Sequence, residues 1–184
     1  MIGIASLLDL DAGLRTRGVW EWLEEHCGLT GIRMTPLPHF SWQTAENYPQ
    51  EDLLSRLDEI VQQFDPVDVN STGIGLFTGA NPVLYLSVVK NRQLLEYHRI
   101  LWETFMPLAQ HPNLHYAPEN WIPHITIAYH DLTPETLACA IRDLGFHPLG
   151  LQIHVNHLAV IYQTDGKYGI ISNHPFAETS PDHE

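Results

Sequence analysis

Basic residues are scarce in this 184-residue sequence, which has nine Lys and Arg against 22 Asp and Glu. The formal net charge of -13 argues against a protein that holds long nucleic acids by their phosphates, because each phosphate contact needs a nearby cation. A small anionic substrate in a locally arranged pocket is compatible with the same charge. The apolar fraction of 44 % is ordinary for a globular protein, so a disordered chain is also excluded.

Cysteine is almost missing, since the chain has only Cys27 and Cys139. Two cysteines cannot build a disulfide scaffold or a cysteine-based zinc site. A chain of this length buries roughly 70 % of its unfolded surface, so its fold does not need a disulfide or a metal for stability. Residues 1–10 lack the basic start of a signal peptide, and no run reaches the roughly 18 apolar residues of a membrane helix. We therefore expect a soluble, cytoplasmic protein in a reducing compartment, without a membrane partner.

The predicted elements repeat along the chain. An apolar stripe at helical spacing, which includes Leu53, Leu57 and Ile60, marks the clearest helix. The first set of predicted elements is strand 2–10, helix 12–27, strand 37–44, helix 50–64 and strand 67–78. The second set is strand 82–89, helix 91–106, strand 121–129, helix 134–144 and strand 149–163, followed by a turn at 165–166 and a strand at 168–172.

This order predicts an α+β unit used twice within one domain. The two pseudo-repeats cover about 2–78 and 82–172, inside a domain that spans 1–175. The segment 176–184 is expected to form a flexible tail, because it carries no periodic apolar pattern and lies at a terminus.

The second strand of each set, 37–44 and 121–129, holds the same short motif. One copy is Pro38-His39-Phe40-Ser41-Trp42, and the other is Pro123-His124-Ile125-Thr126-Ile127. Alternate side chains of a strand share a face, so each motif places an imidazole and a hydroxyl side by side. A chain of this composition is expected to hold the full pattern only about 0.04 times by chance. Two copies at equivalent places therefore indicate a functional pair.

These residue types suit acid–base chemistry at a phosphate. Two imidazoles that face one cleft can take up and give a proton near neutral pH, which serves in-line attack on a phosphodiester. The two hydroxyls can donate hydrogen bonds to non-bridging phosphate oxygens without adding charge. This chemistry requires no metal and no cofactor.

The two motifs, about 85 residues apart in a duplicated α+β chain, resemble those of the 2H phosphoesterase superfamily. The resemblance covers about 2–172 and includes the segment 82–105, which is similar to the strand and helix that link the lobes in that family. It implies a bilobal fold with pseudo-two-fold symmetry, in which two antiparallel sheets flank a central cleft and the helices lie outside.

The resemblance also implies residue roles and an activity. His39 and His124 carry over as the catalytic pair, and Ser41 and Thr126 as phosphate-binding residues. The implied enzyme is a metal-independent phosphodiesterase that opens a 2',3'-cyclic phosphate or a similar cyclic phosphodiester. Reverse 2'-5' RNA ligation is compatible with the same acid–base pair. The pseudo-symmetry leaves open which histidine is the base.

Cations near the motifs are fewer than in many RNA-handling members of the family. Arg33 precedes the first motif, and no Lys or Arg lies between Arg99 and Arg142. We therefore expect a nucleotide-sized cyclic phosphate or an RNA terminus as substrate, no long nucleic-acid track, and a monomer. His130 is a possible cleft residue, because it shares strand parity with His124. A histidine-rich metal site and a non-catalytic nucleotide- or partner-binding module remain as alternatives.

Overall fold

The computed structural model describes residues 1–164 and 166–177, and within these ranges the chain forms four α-helices and nine strands. The helices are α1 (Leu10–Cys27), α2 (Gln50–Ile60), α3 (Arg92–Phe105) and α4 (Pro134–Leu144). The strands are β1 (Ile2–Leu7), β2 (His39–Asn47), β3 (Val67–Phe77), β4 (Val83–Val88), β5 (Gln110–Pro112), β6 (His124–Tyr129), β7 (Gln152–Val155), β8 (His157–Thr164) and β9 (Lys167–Pro175). Position 165 of the predicted turn and most of the predicted tail, from 178 onward, lie outside the described residues.

Two antiparallel sheets form the centre of the molecule. The first has five strands in the order β5-β2-β1-β8-β9, and the second has four in the order β6-β4-β3-β7. Every observed strand pair is antiparallel. The predicted α+β class with two antiparallel sheets is therefore confirmed.

The two halves of the chain exchange strands. In the first sheet β1 pairs with β2 and with β8 from the second half, whereas in the second sheet β4 pairs with β6 and with β3 from the first half. The three strands β2-β1-β8 therefore correspond to β6-β4-β3 once the halves are interchanged, which gives these strands a pseudo-two-fold arrangement. Neither sheet is built from the segment 2–78 or the segment 82–172 alone.

The prediction of one continuous strand over 149–163 is wrong. It splits at Asn156 into β7, which pairs with β3, and β8, which pairs with β1 in the other sheet. β7 alternates exposed and buried residues and β8 is mostly buried, so both pieces have the pattern of a strand, and periodicity does not reveal where the chain changes sheets. The short edge strand β5 and the 3-10 turn Gly31–Met34 were also not predicted.

The helix ends follow local sequence signals. Asp9, Asn91 and Thr133 cap α1, α3 and α4 by accepting backbone N–H groups through their side chains. Gly28 ends α1 with φ of 71°, a left-handed conformation that glycine adopts without a steric penalty. The predicted stripe of α2 is buried at Leu53, Leu57 and Ile60, and α3 buries Leu94, Leu101 and Phe105.

A disulfide joins Cys27, the last residue of α1, to Cys139 on α4. The sequence analysis expected a reducing compartment, because two cysteines are too few for a disulfide scaffold. Their separation of 112 positions does not reveal whether their helices meet. The bridge differs from the expectation of a reduced protein. No helix in the described ranges is long and apolar enough to cross a lipid bilayer.

Candidate active site

The two motifs lie in one cavity of about 870 Å³ between the sheets. His39 and Ser41 from β2 line it together with His124 and Thr126 from β6. The structure thus brings together the four residues that the sequence analysis placed in the catalytic pair and its phosphate ligands. Their neighbours Phe40, Trp42, Ile125 and Ile127 are buried in the hydrophobic core.

Each motif strand is fixed by a tryptophan from the other half of the chain. The Trp121 indole donates to the Ser41 carbonyl at 3.0 Å, and the Trp20 indole donates to the Thr126 carbonyl at 3.1 Å. Both contacts hold the backbone of the hydroxyl-bearing residue. The two faces of the cavity are therefore tied to each other across the pseudo-symmetry.

Each motif strand also contains an irregularity directly after the hydroxyl. In the pairing of β1 with β2, Ser41 lies opposite Ala5 and Gln43 opposite Ile4, which leaves Trp42 unpaired. The pairing of β4 with β6 skips Ile127 in the same way. Such a bulge shifts side-chain parity by one residue. The cavity face therefore continues at Thr44 and Tyr129, five residues after each histidine.

His130 is the one predicted site residue that the structure places elsewhere. β6 ends at Tyr129, and His130 is exposed with φ of 76°. The parity argument assumed a regular strand, but the bulge at Ile127 turns Tyr129 toward the cavity instead. Among the described residues that line the cavity, His130 is absent.

The two catalytic candidates share one tautomer. Nδ1 of His39 lies 2.6 Å from the Leu37 carbonyl oxygen, and Nδ1 of His124 lies 2.7 Å from the Ile122 carbonyl oxygen. A carbonyl only accepts hydrogen bonds, so Nδ1 carries the proton in both neutral rings. The basic nitrogen of each ring is therefore Nε2, which is the atom available for proton transfer.

Both imidazoles have a lowered pKa. Desolvation is the main cause at His39 and at His124, because burial disfavours the charged ring, and the charge of His124 lowers the pKa of His39 further. The two rings line the same cavity. Both rings are therefore neutral at pH 7 in the free protein.

The surroundings of the two rings differ. The Tyr168 hydroxyl from β9 lies 3.3 Å from Nε2 of His39, whereas His124 packs against the rings of Phe77 and Tyr85 at 4.8 and 5.2 Å. Burial raises the pKa of Tyr168, so its hydroxyl stays protonated. A tyrosine hydroxyl thus lies beside Nε2 of His39, whereas His124 contacts two aromatic rings.

A short turn closes one wall of the cavity. The segment Gly31–Met34 brings Ile32 to the lining, and the Asp131 carboxylate accepts hydrogen bonds from the Thr30 and Gly31 amides at 2.6 and 2.7 Å. A Cβ at position 31 would overlap the Tyr129 carbonyl oxygen, so this approach requires glycine.

Arg33 belongs to this turn but does not serve the cavity. Its guanidinium pairs with Glu24, and its side chain is 68 % exposed. Within the described ranges, the ionisable side chains that line the cavity are histidines and tyrosines.

Three potential metal ligands converge away from the cavity, at Cys27, Cys139 and Asp143. The two sulfurs of this set are joined to each other in the disulfide, which removes them as thiolate ligands. The remaining histidines outside the cavity include His154, which pairs with Asp68, and His174, which bonds to Asp58. The motif His154-x-x-His157 is divided between β7 and β8.

Sequence reasoning assigned no site role to several cavity residues that carry hydroxyl groups, among them Thr44, Tyr116 and Tyr168. Thr44 was hidden by the bulge, and Tyr116 and Tyr168 come from a loop and a strand far along the chain. Tyr168 lies in the sheet that holds His39 only because β9 pairs within that sheet, and no local sequence pattern predicts this pairing. Tyr129 was also missed, although a repeated bulge after both motifs accounts for its position.

The fold and the site together define an α+β protein in which two His-x-hydroxyl strands, one from each half, face a shared cavity. A family model described as the 2'-5' RNA ligase superfamily matches residues 21–167. The chain belongs to this superfamily. No characterised protein matches by sequence closely enough to identify a nearer relative.

Solved structures show the same fold over almost the whole chain. A protein from Thermus thermophilus has a TM-score of 0.67 at 15 % identity and covers 95 % of this chain and 97 % of its own. E. coli LigT in complex with 3'-AMP has a TM-score of 0.59 at 13 % identity, with 96 % and 98 % covered. E. coli LigT in complex with NADP+ has a TM-score of 0.55 at 13 % identity, with 96 % and 97 % covered. These low identities show a shared fold and nothing finer.

Proposed function

We propose that the protein is a metal-independent phosphodiesterase that opens a 2',3'-cyclic phosphate, or a similar cyclic phosphodiester, on a nucleotide or an RNA end. The observation that carries this proposal is the paired geometry of His39 and His124. Both rings are fixed through Nδ1 and expose Nε2 in one cavity that also holds the Ser41 and Thr126 hydroxyls. Membership in the 2'-5' RNA ligase superfamily supports a phosphoester substrate.

The proposed reaction needs one neutral and one protonated imidazole. Nε2 of the neutral ring takes a proton from water as the water oxygen bonds to phosphorus. The bond from phosphorus to one ribose oxygen breaks, and the protonated ring gives its proton to that oxygen, so a phosphomonoester and a free hydroxyl remain. Ser41 and Thr126 donate hydrogen bonds to the non-bridging oxygens. Each proton transfer contributes about 10²- to 10⁴-fold.

Ligation uses the same groups in reverse. A ribose hydroxyl takes the place of water: it gives its proton to the neutral ring as its oxygen bonds to phosphorus. The bond from phosphorus to the ribose 3' oxygen breaks, and that oxygen takes the proton of the other ring, so a 2'-5' phosphodiester and a free 3' hydroxyl remain. The shared tautomer of the two rings lets either serve as base or acid, so both directions use one site.

The proposed substrate is nucleotide-sized or an RNA terminus. The cavity volume of about 870 Å³ lies in the range of small-molecule sites. The net charge of -13 makes a long nucleic-acid track unfavourable. The structures of LigT with 3'-AMP and with NADP+ show nucleotide ligands on a protein of this fold. We further propose that residues 1–175 act as one functional domain in a monomer, since one chain supplies both motif strands.

A substrate panel with and without EDTA tests this proposal. We expect hydrolysis of 2',3'-cyclic nucleotides at an unchanged rate in EDTA, with 2'-5' dinucleotides as the second substrate class. Loss of turnover in EDTA, restored by a divalent metal, would contradict the metal-independent mechanism. Binding of a cyclic nucleotide without turnover at any pH between about 5 and 8 would identify a non-catalytic binding module instead.

A further inference from the structure

Helices α1 and α4 bring three metal-binding side chains together, away from the cavity. Cys27 is the last residue of α1, and Cys139 and Asp143 are four positions apart on α4, so those two share one face of their helix. One ligand atom from each of the three residues lies within 4.8 Å of the others. Two sulfurs and a carboxylate oxygen form a donor set that suits Zn²⁺.

The disulfide blocks this set only while the two sulfurs are bonded to each other. The Cα atoms of Cys27 and Cys139 are 5.8 Å apart. Two sulfur ligands of one tetrahedral zinc ion lie about 3.8 Å apart, since each Zn–S bond is about 2.3 Å long. Two cysteines at this backbone separation reach the zinc-bound arrangement by rotation about their Cα–Cβ bonds. The helices therefore need not move when the bridge is replaced by a metal.

Reduction converts the bridge into two ligands, and both cysteines are half-buried, within reach of a small dithiol. One thiolate of the dithiol bonds to a bridge sulfur, and the other bridge sulfur leaves as a thiolate. The second thiol of the reductant then displaces the remaining cysteine. The reductant has become a disulfide, and the two cysteines have gained two electrons and two protons. Zn²⁺ displaces these two protons when it binds the thiolates.

The third ligand, Asp143, has a partner that it can give up. The Arg142 guanidinium donates to the Asp143 carboxylate at 2.9 Å, and the Arg142 side chain is 71 % exposed. An exposed ion pair of this kind contributes little, because water and salt screen it. The same guanidinium holds the pKa of Asp143 below its usual value, so the carboxylate is charged at neutral pH.

We propose that the reduced chain binds one Zn²⁺ through the Cys27 and Cys139 thiolates and the Asp143 carboxylate. Three protein ligands leave the fourth tetrahedral position to water. The zinc ion takes over from the disulfide as the link between α1 and α4, so the two helices stay joined in either redox state. None of the three ligands is among the described residues that line the cavity, so the site is separate from the proposed phosphodiesterase chemistry.

Zinc titration of the full chain in both redox states tests this site. The chain is reduced with dithiothreitol, which is then removed without air because dithiols bind zinc, and Zn²⁺ binding is measured by calorimetry. We expect the reduced chain to bind one Zn²⁺ more than the oxidised chain. Zinc bound by the oxidised chain reports other groups, such as the cavity histidines. Equal zinc binding in the two states would contradict the site.

Variants of the reduced chain assign the ligands. Cys27→Ser and Cys139→Ser should each abolish binding of the additional zinc ion. Asp143→Asn should weaken it at least about 10-fold, since even residues that only orient a metal ligand cost about 10- to 100-fold in affinity. The matched control is Glu135→Gln, which removes a carboxylate elsewhere on α4 and should leave zinc binding unchanged. Full binding of the additional zinc in any of the three ligand variants would overturn the assignment.

Cobalt supplies a signature that a metal bound to histidine alone would not give. Co²⁺ on cysteine thiolates absorbs in the near ultraviolet through charge transfer from sulfur to the metal. We expect this band in the reduced wild type, and not in the oxidised chain or in reduced Cys27→Ser, with circular dichroism to show that each sample is folded. A folded, reduced wild type that takes up Co²⁺ without this band would contradict thiolate ligation.

Discussion

At the scale of single residues, the catalytic candidates are arranged by their own backbone. Each imidazole bonds to the carbonyl two positions earlier, at Leu37 for His39 and at Ile122 for His124. A preceding proline in both motifs favours the extended backbone in which this local bond forms. The repeat of Pro-His therefore sets the tautomer as well as the position of each ring.

The pH dependence of catalysis follows from the lowered pKa values. Activity requires one neutral and one protonated ring, so kcat/KM is greatest between the two pKa values of the free protein. Desolvation lowers both from the usual 6.5, and we expect the optimum of kcat/KM below that pH. A bound phosphate anion raises the pKa of the acid, so the optimum of kcat should lie at higher pH.

Steady-state kinetics with a cyclic nucleotide across this pH range checks both optima, with circular dichroism at each pH as the control for folding. An optimum of kcat/KM above pH 7 would contradict the assignment of two desolvated imidazoles as the titrating pair.

Residues near a motif were easier to predict than those brought in by packing. His39, Ser41, His124 and Thr126 are visible because the pattern occurs twice. The cavity tyrosines belong to no repeated pattern. The sequence around a tyrosine in a loop or an edge strand does not show whether its side chain faces a site or solvent.

At the scale of elements, the four helices were predicted well because their stripes and caps are local properties. The bulges and the split into β7 and β8 were missed, because they depend on which strand lies alongside. The consequence was functional: parity on an assumed regular strand pointed to His130 instead of Tyr129. A strand next to an active site is a common place for such an irregularity.

Helix α3 carries a buried histidine that predicts acid sensitivity. His98 is 2 % exposed, stacks on Trp121 at 3.8 Å, and has a pKa lowered to about 4, chiefly by burial. The unfolded chain therefore binds a proton below pH 6.5 that the folded chain does not. Stability should fall as pH drops from about 6.5 to 4, by on the order of 3 kcal/mol from this group.

Urea unfolding of His98→Phe at pH 7 and at pH 4.5 measures this contribution. The phenyl ring keeps a flat face on Trp121 but cannot take a proton, so the loss of stability between the two pH values should be smaller than in the wild type. The matched control is His147→Phe, since His147 is exposed. An equal pH dependence in wild type and His98→Phe would show that His98 does not drive the acid response.

At the scale of the whole molecule, the cavity exists only because the two halves interlock. Each sheet takes a strand from the other half, and each motif strand is held by a tryptophan of the other half. The repeat predicted one α+β unit used twice, and the family resemblance implied two sheets around a cleft. The sequence analysis could not predict the exchange of strands, because the apolar pattern of a strand is the same whichever strand lies beside it in the sheet.

The net charge of the whole molecule bears on the size of the substrate. A charge of -13 disfavours a polyanion over the whole surface, while the cavity wall presents imidazoles and neutral hydroxyls to a single phosphate. The scarcity of basic residues therefore fits the proposed nucleotide-sized substrate.

The most direct test of the account is turnover of 2',3'-cyclic CMP, in EDTA, by the wild type, His39→Ala, His124→Ala and the double variant. Each half contributes one proton-transfer group, so each single change should lower kcat by at least about 100-fold. The double variant should lose little more, because the two rings act as a unit. Wild-type turnover in either single variant, with the fold intact, would contradict two-histidine catalysis.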